Sequence, residues 1–241
     1  LNPDKSKLSK RQGDVAVEDY IKKGYLKEAL INFVALLGWN PKGDQELYTI
    51  QEFIDLFDIA KVNKGGAMLN QEKLDWMNGQ YIRKLSLASL TDLCLPHLSE
   101  EARMLPREKQ EMIVALEQER LKNPMEIGER TAYFFTDELV IDPSILPWRK
   151  MTKEETRLRL EHMQQSLEVL EANAWTKGGI EKAVRDTIES HNLGVGDTLW
   201  PMRVALSGQK ASPGPFEIAA VLGRNRTIRR LQRAIDLLVA S

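Results

Sequence analysis

Along almost the whole chain, apolar residues return every three or four positions, a period that commits the sequence to packed helices. Leu26, Ala29, Leu30, Phe33, Leu36 and Leu37 share one face, and Gly38 stops that helix. Thr49 opens the next with a capping box to Glu52, followed by Ile50, Phe53, Ile54 and Phe57. Leu74, Met77 and Tyr81 mark a third, and Leu87–Leu95 and Lys109–Leu121 give two more. Thr152 and Glu155 repeat the capping box ahead of a long helix with Leu160, Met163, Leu167 and Leu170 on its buried stripe. Ile180, Ala183, Val184 and Ile188 form the helix after Trp175. The last carries Ile228, Leu231, Ile235 and Leu238, with Arg226, Arg229, Arg230 and Arg233 off the apolar stripe. Strand signals are few: Leu139-Val140-Ile141 is the best, with Leu47-Tyr48 as a short extended piece. A mainly α fold is expected, in three modules of helices with breaks near Leu85, Asp142-Pro143-Ser144 and Gly194-Val195-Gly196.

Several chemistries are excluded. No apolar run approaches the roughly 20 residues that span a bilayer, and no signal-like segment opens the chain. Leu1 stands where a methionine would, which places the expected true amino terminus upstream. The single cysteine, Cys94, has no partner for an internal disulfide and reads as a small buried apolar residue in a reducing compartment. His97, His162 and His191 lack metal-ligand spacing, and one cysteine excludes a zinc finger. No glycine-rich phosphate loop is present, and Gly65-Gly66 reads as a turn. His162 reads as structural or solvated, and the carboxylates, set on helices rich in Lys and Arg, as surface charge. Taken alone, the chain holds no complete active site.

The formal net charge of −1 argues against nucleic acid, but its distribution does not. Glu100–Glu171 carries 16 acidic and 11 basic residues, whereas Pro201–Ser241 carries 7 basic and 2 acidic. Charge segregated in this way can form a local anion-binding surface or a solvated helix face.

At the start lies Lys7-Leu8-Ser9-Lys10-Arg11, whose lysines and hydroxyl suit phosphate contacts. Then come, in order, Asp14-Val15-Ala16-Val17-Glu18-Asp19-Tyr20, Gly24-Tyr25-Leu26-Lys27-Glu28-Ala29-Leu30, Leu36-Leu37-Gly38-Trp39, Val62-Asn63-Lys64 and Leu74-Asp75-Trp76-Met77-Asn78. Tyr133-Phe134-Phe135, Met202-Arg203-Val204-Ala205-Leu206-Ser207-Gly208 and Ser212-Pro213-Gly214-Pro215-Phe216-Glu217-Ile218 follow. This series resembles bacterial-type glutamyl-tRNA synthetases over essentially the whole chain, with the middle third least specific. Those are class I enzymes in which a Lys-Met-Ser-Lys-Ser-like loop leads into a stem-contact domain. The resemblance implies residues 1–14 as that loop and the end of the catalytic domain, 15–84 as the stem-contact domain, and 85–141 and 142–241 as two helical anticodon-binding modules. It implies a cytoplasmic monomer whose full-length form joins L-glutamate to tRNA(Glu) through glutamyl-AMP, with ATP and magnesium held by the rest of the enzyme.

Residue by residue, the resemblance implies that Lys7, Ser9 and Lys10 contact ATP, with Lys10 facing the phosphates during adenylation. The first ATP signature, a His-x-Gly-His-like element, is absent from this sequence, so the 241 residues alone are expected to give no pyrophosphate exchange. Arg203 corresponds to the arginine that reads the first anticodon base. Ser212 and Pro213 correspond to residues whose main chain touches the first and middle bases. Pro215 stands where the family usually has leucine, which puts the apolar contact there in doubt. Arg120 aligns with the arginine that reads the third base, as in enzymes restricted to glutamate tRNA. Arginine both stacks on bases and bonds to their edges, and a Pro-Gly-Pro turn is fixed beforehand, so these residue types suit splayed single-stranded bases. Against each role stands a plainer one: an intrahelical ion pair for Arg120, a helix start for Pro213 and Pro215, and core packing for Trp76, Phe134 and Trp200. Two other functions compete: an enzyme that also glutamylates tRNA(Gln), which Arg120 opposes, and a helical protein-interaction module without a nucleic-acid role.

Overall fold

A computed structural model describes residues 16–39, 43–63 and 65–240, so Lys7, Ser9 and Lys10 lie outside the described residues. The chain forms two compact units, divided between Arg130 and Thr131. Up to the division run α1 (Val17–Lys22), α2 (Lys27–Gly38), α3 (Ile50–Leu56), α4 (Gln71–Lys84), α5 (Leu87–Cys94), α6 (Glu100–Arg103) and α7 (Arg107–Glu117), and α8 (Ile127–Thr131) ends one residue past it. Beyond it run α9 (Lys153–Glu168), α10 (Lys177–Ser190), α11 (Val195–Ser207), α12 (Pro215–Leu222) and α13 (Arg224–Ala240). The fold is mainly α, and no strand forms among the described residues; an isolated antiparallel bridge joins Trp39 and Val62.

The expected strand at Leu139–Ile141 is therefore corrected. Leu139 and Ile141 are each 6% exposed and Val140 is 84% exposed, so the alternation that signals a strand is real. What is missing is a partner strand to complete a hydrogen-bonded ladder. Instead the Val140 carbonyl lies against Gly208, where a Cβ would come within 2.7 Å of it. Gly208 also caps α11 in the left-handed region at φ 69° and donates its N–H to Val204 O, so both space and backbone call for glycine there.

In the first unit, α2 packs on α4 through Leu30, Phe33, Leu74 and Met77. A second cluster stacks Trp39, Tyr48 and Phe53, with Tyr48 and Phe53 ring centroids 5.1 Å apart. Buried asparagines tie the connecting segments to these helices. Asn32 accepts from Tyr48 N at 2.7 Å and from the Tyr81 hydroxyl at 2.7 Å, and donates to Glu46 O at 2.9 Å. Asn78 accepts from Leu26 N and donates to Lys122 O. The Thr49–Glu52 and Thr152–Glu155 capping boxes both form. Cys94 is buried, and desolvation pushes its thiol up to about 12, which makes it a core residue rather than a nucleophile.

In the second unit, α9 lies against α10, α11 and α13, burying Leu160, Met163, Leu167, Val184, Leu206 and Leu231. His162 and His191 stack with centroids 4.4 Å apart, His162 partly buried and His191 exposed. No helix of the described residues is long and apolar enough to cross a membrane, and no group of three metal-ligating side chains assembles among them.

Candidate nucleic-acid interface

The second unit builds its site around α11. Arg203 is partly exposed on a helix whose neighbouring Met202, Val204, Ala205 and Leu206 are all buried. Two contacts orient its guanidinium: it donates to Lys210 O at 2.9 Å and lies 4.6 Å from the centre of the Trp200 ring. A cation over an indole face is attracted by the ring quadrupole, so the ring helps to fix the position of the guanidinium. Trp200 in turn donates its indole N–H to Ile145 O at 2.9 Å.

The chain returns from α11 through a tight loop. Ser207 donates to Arg203 O at 2.8 Å and accepts from Gln209 N at 3.2 Å, and its oxygen lies 3.1 Å from the Ser212 hydroxyl. Each hydroxyl has one proton to give, so the Ser212 proton goes to Pro213 O at 3.3 Å or to Ser207. Ser212, Pro213 and Pro215 are buried, and Pro215 starts α12 at its first turn. Of this turn, Gly214 is the residue with appreciable solvent exposure. Gly214 and Pro215 border a surface cavity of about 420 Å³ together with Trp148, Gly196, Leu199, Trp200 and Arg203. Arg203 and the Ser212–Pro215 turn are thus brought to one place within this unit.

Trp200 departs from its expected place in the core, since it is only partly buried and lines that cavity. Phe134 is buried at 2%, whereas Trp76, in the first unit, is 40% exposed. Helical periodicity places a residue on a face; it does not say whether a neighbour covers that face. Sequence reasoning missed Trp148. The available signal was an aromatic directly ahead of Arg149-Lys150, a residue pairing suited to single-stranded nucleic acid.

Arg120 belongs to the first unit, and its expected helix is corrected. α7 ends at Glu117, and Arg120 lies in the turn that follows, its N–H bonded to Glu117 O at 2.8 Å. Its guanidinium stands 3.3 Å from the Glu117 carboxylate, which is 1% exposed and also lies 3.9 Å from Arg130. The plainer ion pair therefore does form, across the helix end. Burial raises the Glu117 pKa, and Arg120 and Arg130 oppose that shift. With the folded pKa above the unfolded one, ionised Glu117 costs stability, and the cost disappears as pH falls through the raised value toward 4.5. Urea midpoints at several pH values check this: the stability of the parent relative to Glu117→Gln should improve on acidification, and parallel profiles would refute it.

The last helix needs the largest correction. Arg230 is 3% exposed and donates to Leu206 O at 2.5 Å, Tyr133 O at 2.6 Å and Thr136 O at 2.9 Å. Arg226 donates to Phe134 O, and Arg226 and Arg229 both pair with Asp137. Of the positive excess near the carboxy end, Arg230 is therefore enclosed in the fold, while Arg226 and Arg229 are paired with Asp137 at the surface. Desolvation lowers the Arg230 pKa to about 10, so it stays charged at neutral pH.

The comparisons with known proteins agree with one another. Residues 89–235 match the family described as anticodon binding domain, and residues 1–76 match the catalytic domain of class I tRNA synthetases for E and Q. The chain is similar to the glutamate–tRNA ligase of Clostridium botulinum (strain Hall), at 40% identity over 238 residues covering 97% of this chain and 48% of that protein. The glutamate–tRNA ligase of Clostridium novyi (strain NT) is 39% identical, with 97% and 48% covered. Among solved structures, a glutamate tRNA ligase from Elizabethkingia meningosepticum superposes with a TM-score of 0.80 at 29% identity, covering 99% of this chain and 50% of that one. The chain spans about half the length of the curated relatives it matches.

Proposed function

This chain belongs to the glutamyl-tRNA synthetase branch of the anticodon-binding-domain family, and on that premise we propose that it is the tRNA-handling part of a glutamate–tRNA ligase. The whole enzyme attaches glutamate to tRNA(Glu) by way of glutamyl-AMP, with ATP and magnesium bound by the remainder of the catalytic domain. It works in the cytoplasm as a monomer. In this reading residues 15–84 contact the stem of the tRNA, and the helical modules at 85–141 and 142–241 take its anticodon loop. Arg203 reads the first anticodon base, and the main chain of Ser212 and Pro213 the first and middle ones, with Pro215 bordering the same pocket. Arg120 reads the third base, while Lys7, Ser9 and Lys10 form the ATP-side loop.

The observation that carries this reading is the Arg203 guanidinium, held between Trp200 and Lys210 O at the mouth of a cavity bordered by Gly214. Such an arrangement can stack on an unpaired base and bond to its edge, the mode by which single-stranded RNA is read. Preorganisation by the ring and the carbonyl keeps the entropic cost of docking low.

A titration of the chain with glutamate tRNA at several salt concentrations tests the proposal. Binding should weaken with salt, the logarithmic slope growing by about 0.7 to 0.9 for each phosphate neutralised. No binding at low salt, or binding indifferent to salt, would instead favour a protein-interaction module.

A further inference from the structure

We infer that Trp148 and Trp200 form a stacking platform for an additional unpaired nucleobase, next to the bases read at Arg203. This rests on the reading of the Arg203 site as an RNA site. The ring centroids of the two tryptophans are 4.5 Å apart with a 39° tilt. Arg203 lies over the Trp200 ring at 4.6 Å, and Arg149 over the Trp148 ring at 5.0 Å. Guanidinium, indole, indole and guanidinium thus follow one another, and the incoming base displaces the exposed Arg149 side chain from the outer face of Trp148.

A pair that served only to fill the interior would be covered. Here both indoles are partly exposed, while the buried residues packed between the helices are mainly aliphatic. Trp148 is moreover a wall shared by two surface cavities. One, of about 420 Å³, is the Arg203 cavity; the other, of about 670 Å³, is bordered by Arg149, Lys150 and Met151. Cavities of that size lie within the range that takes small ligands. The acidic groups bordering the second cavity are Glu155 and Asp197. Glu155 is bound to the start of α9, accepting from Thr152 N at 2.7 Å, and Asp197 sits in the first turn of α11. The rim of the second cavity therefore sets Arg149 and Lys150 beside Glu155 and Asp197, and the base is held there by stacking rather than by net charge.

Two backbone features hold the platform in place. Arg149 has φ 54°, a left-handed conformation that a non-glycine residue keeps only when its surroundings impose it. Gly196, at the second position of α11, lets the Trp148 indole approach the helix, since a Cβ there would lie 3.0 Å from its nitrogen. The occupant is a base of the anticodon loop flanking those read at Arg203. Stacking takes any base face, so this contact adds affinity without choosing sequence.

The test uses the full chain and a hairpin RNA with the anticodon loop of glutamate tRNA, carrying 2-aminopurine at one loop position at a time. The parent should quench one flanking position on binding. Trp148→Leu should abolish that quenching and weaken binding on the order of tenfold, leaving the salt slope unchanged, while Trp148→Phe keeps most of both. If the parent binds and Arg203→Ala weakens it, yet Trp148→Leu binds and quenches like the parent, the platform is wrong and the Arg203 reading stands. If the parent does not bind the hairpin, both fail. If Trp148→Leu loses its helical circular dichroism, the parent and Trp148→Phe decide: no quenched flanking position in either overturns the platform.

Discussion

Arg230→Met will cost the second unit roughly 3–5 kcal/mol, the scale for removing one partner from a buried charged network. The arginine is 3% exposed and serves carbonyls from three places in the chain, Tyr133, Thr136 and Leu206. Methionine fills a similar volume but donates nothing, so those oxygens lose their partner while the surrounding residues stay packed. Lysine keeps the charge but reaches the three oxygens only through one compact ammonium, so Arg230→Lys should recover part of the loss. Urea unfolding followed by helical circular dichroism will show a distinct early transition in the methionine variant. A loss below about 1 kcal/mol would mean that the carbonyls find other donors and that the guanidinium is not the clasp described.

Arg203→Ala should weaken glutamate tRNA binding by about 10- to 100-fold, the range for losing one base-reading arginine. The salt slope separates the proposed role from a simpler one. An arginine that reads a base changes affinity with little change in slope, whereas one that neutralises a phosphate reduces the slope by about one. Arg203→Lys should fall almost as far as alanine, because an ammonium cannot lie flat on Trp200 while also bonding to Lys210 O and to a base. Unchanged binding in Arg203→Ala would dismiss the anticodon assignment for this residue.

The helices were legible because their period and their caps are local. The Thr49–Glu52 and Thr152–Glu155 boxes need only four residues to declare a start, and both form. Ends were harder: the run after Lys109 keeps helical composition to Leu121, but α7 stops at Glu117, where the chain turns and Arg120 faces back on a buried carboxylate. The segment Leu139–Ile141 alternates as a strand does, but pairing is a property of two segments, and no second one is present among the described residues. Arg230 lay beyond reach for a related reason. An arginine beside an apolar stripe reads as solvated until the carbonyls of a distant turn are known to lie above it. At the candidate site, Arg203 and the Ser212–Pro215 turn were visible through family resemblance, while the neighbouring Trp148 and the openness of Trp200 depended on tertiary packing.

The loop between Arg203 and Ser212 is closed by contacts within the chain itself, through the Lys210 carbonyl, the Ser207 hydroxyl and the left-handed cap at Gly208. A surface finished in advance does not wait for a segment to order itself after encounter, so its rate of capture is set by diffusion, charge and orientation. Substitutions within the closed loop should then act on residence time: an altered chain meets RNA as often as before but releases it sooner.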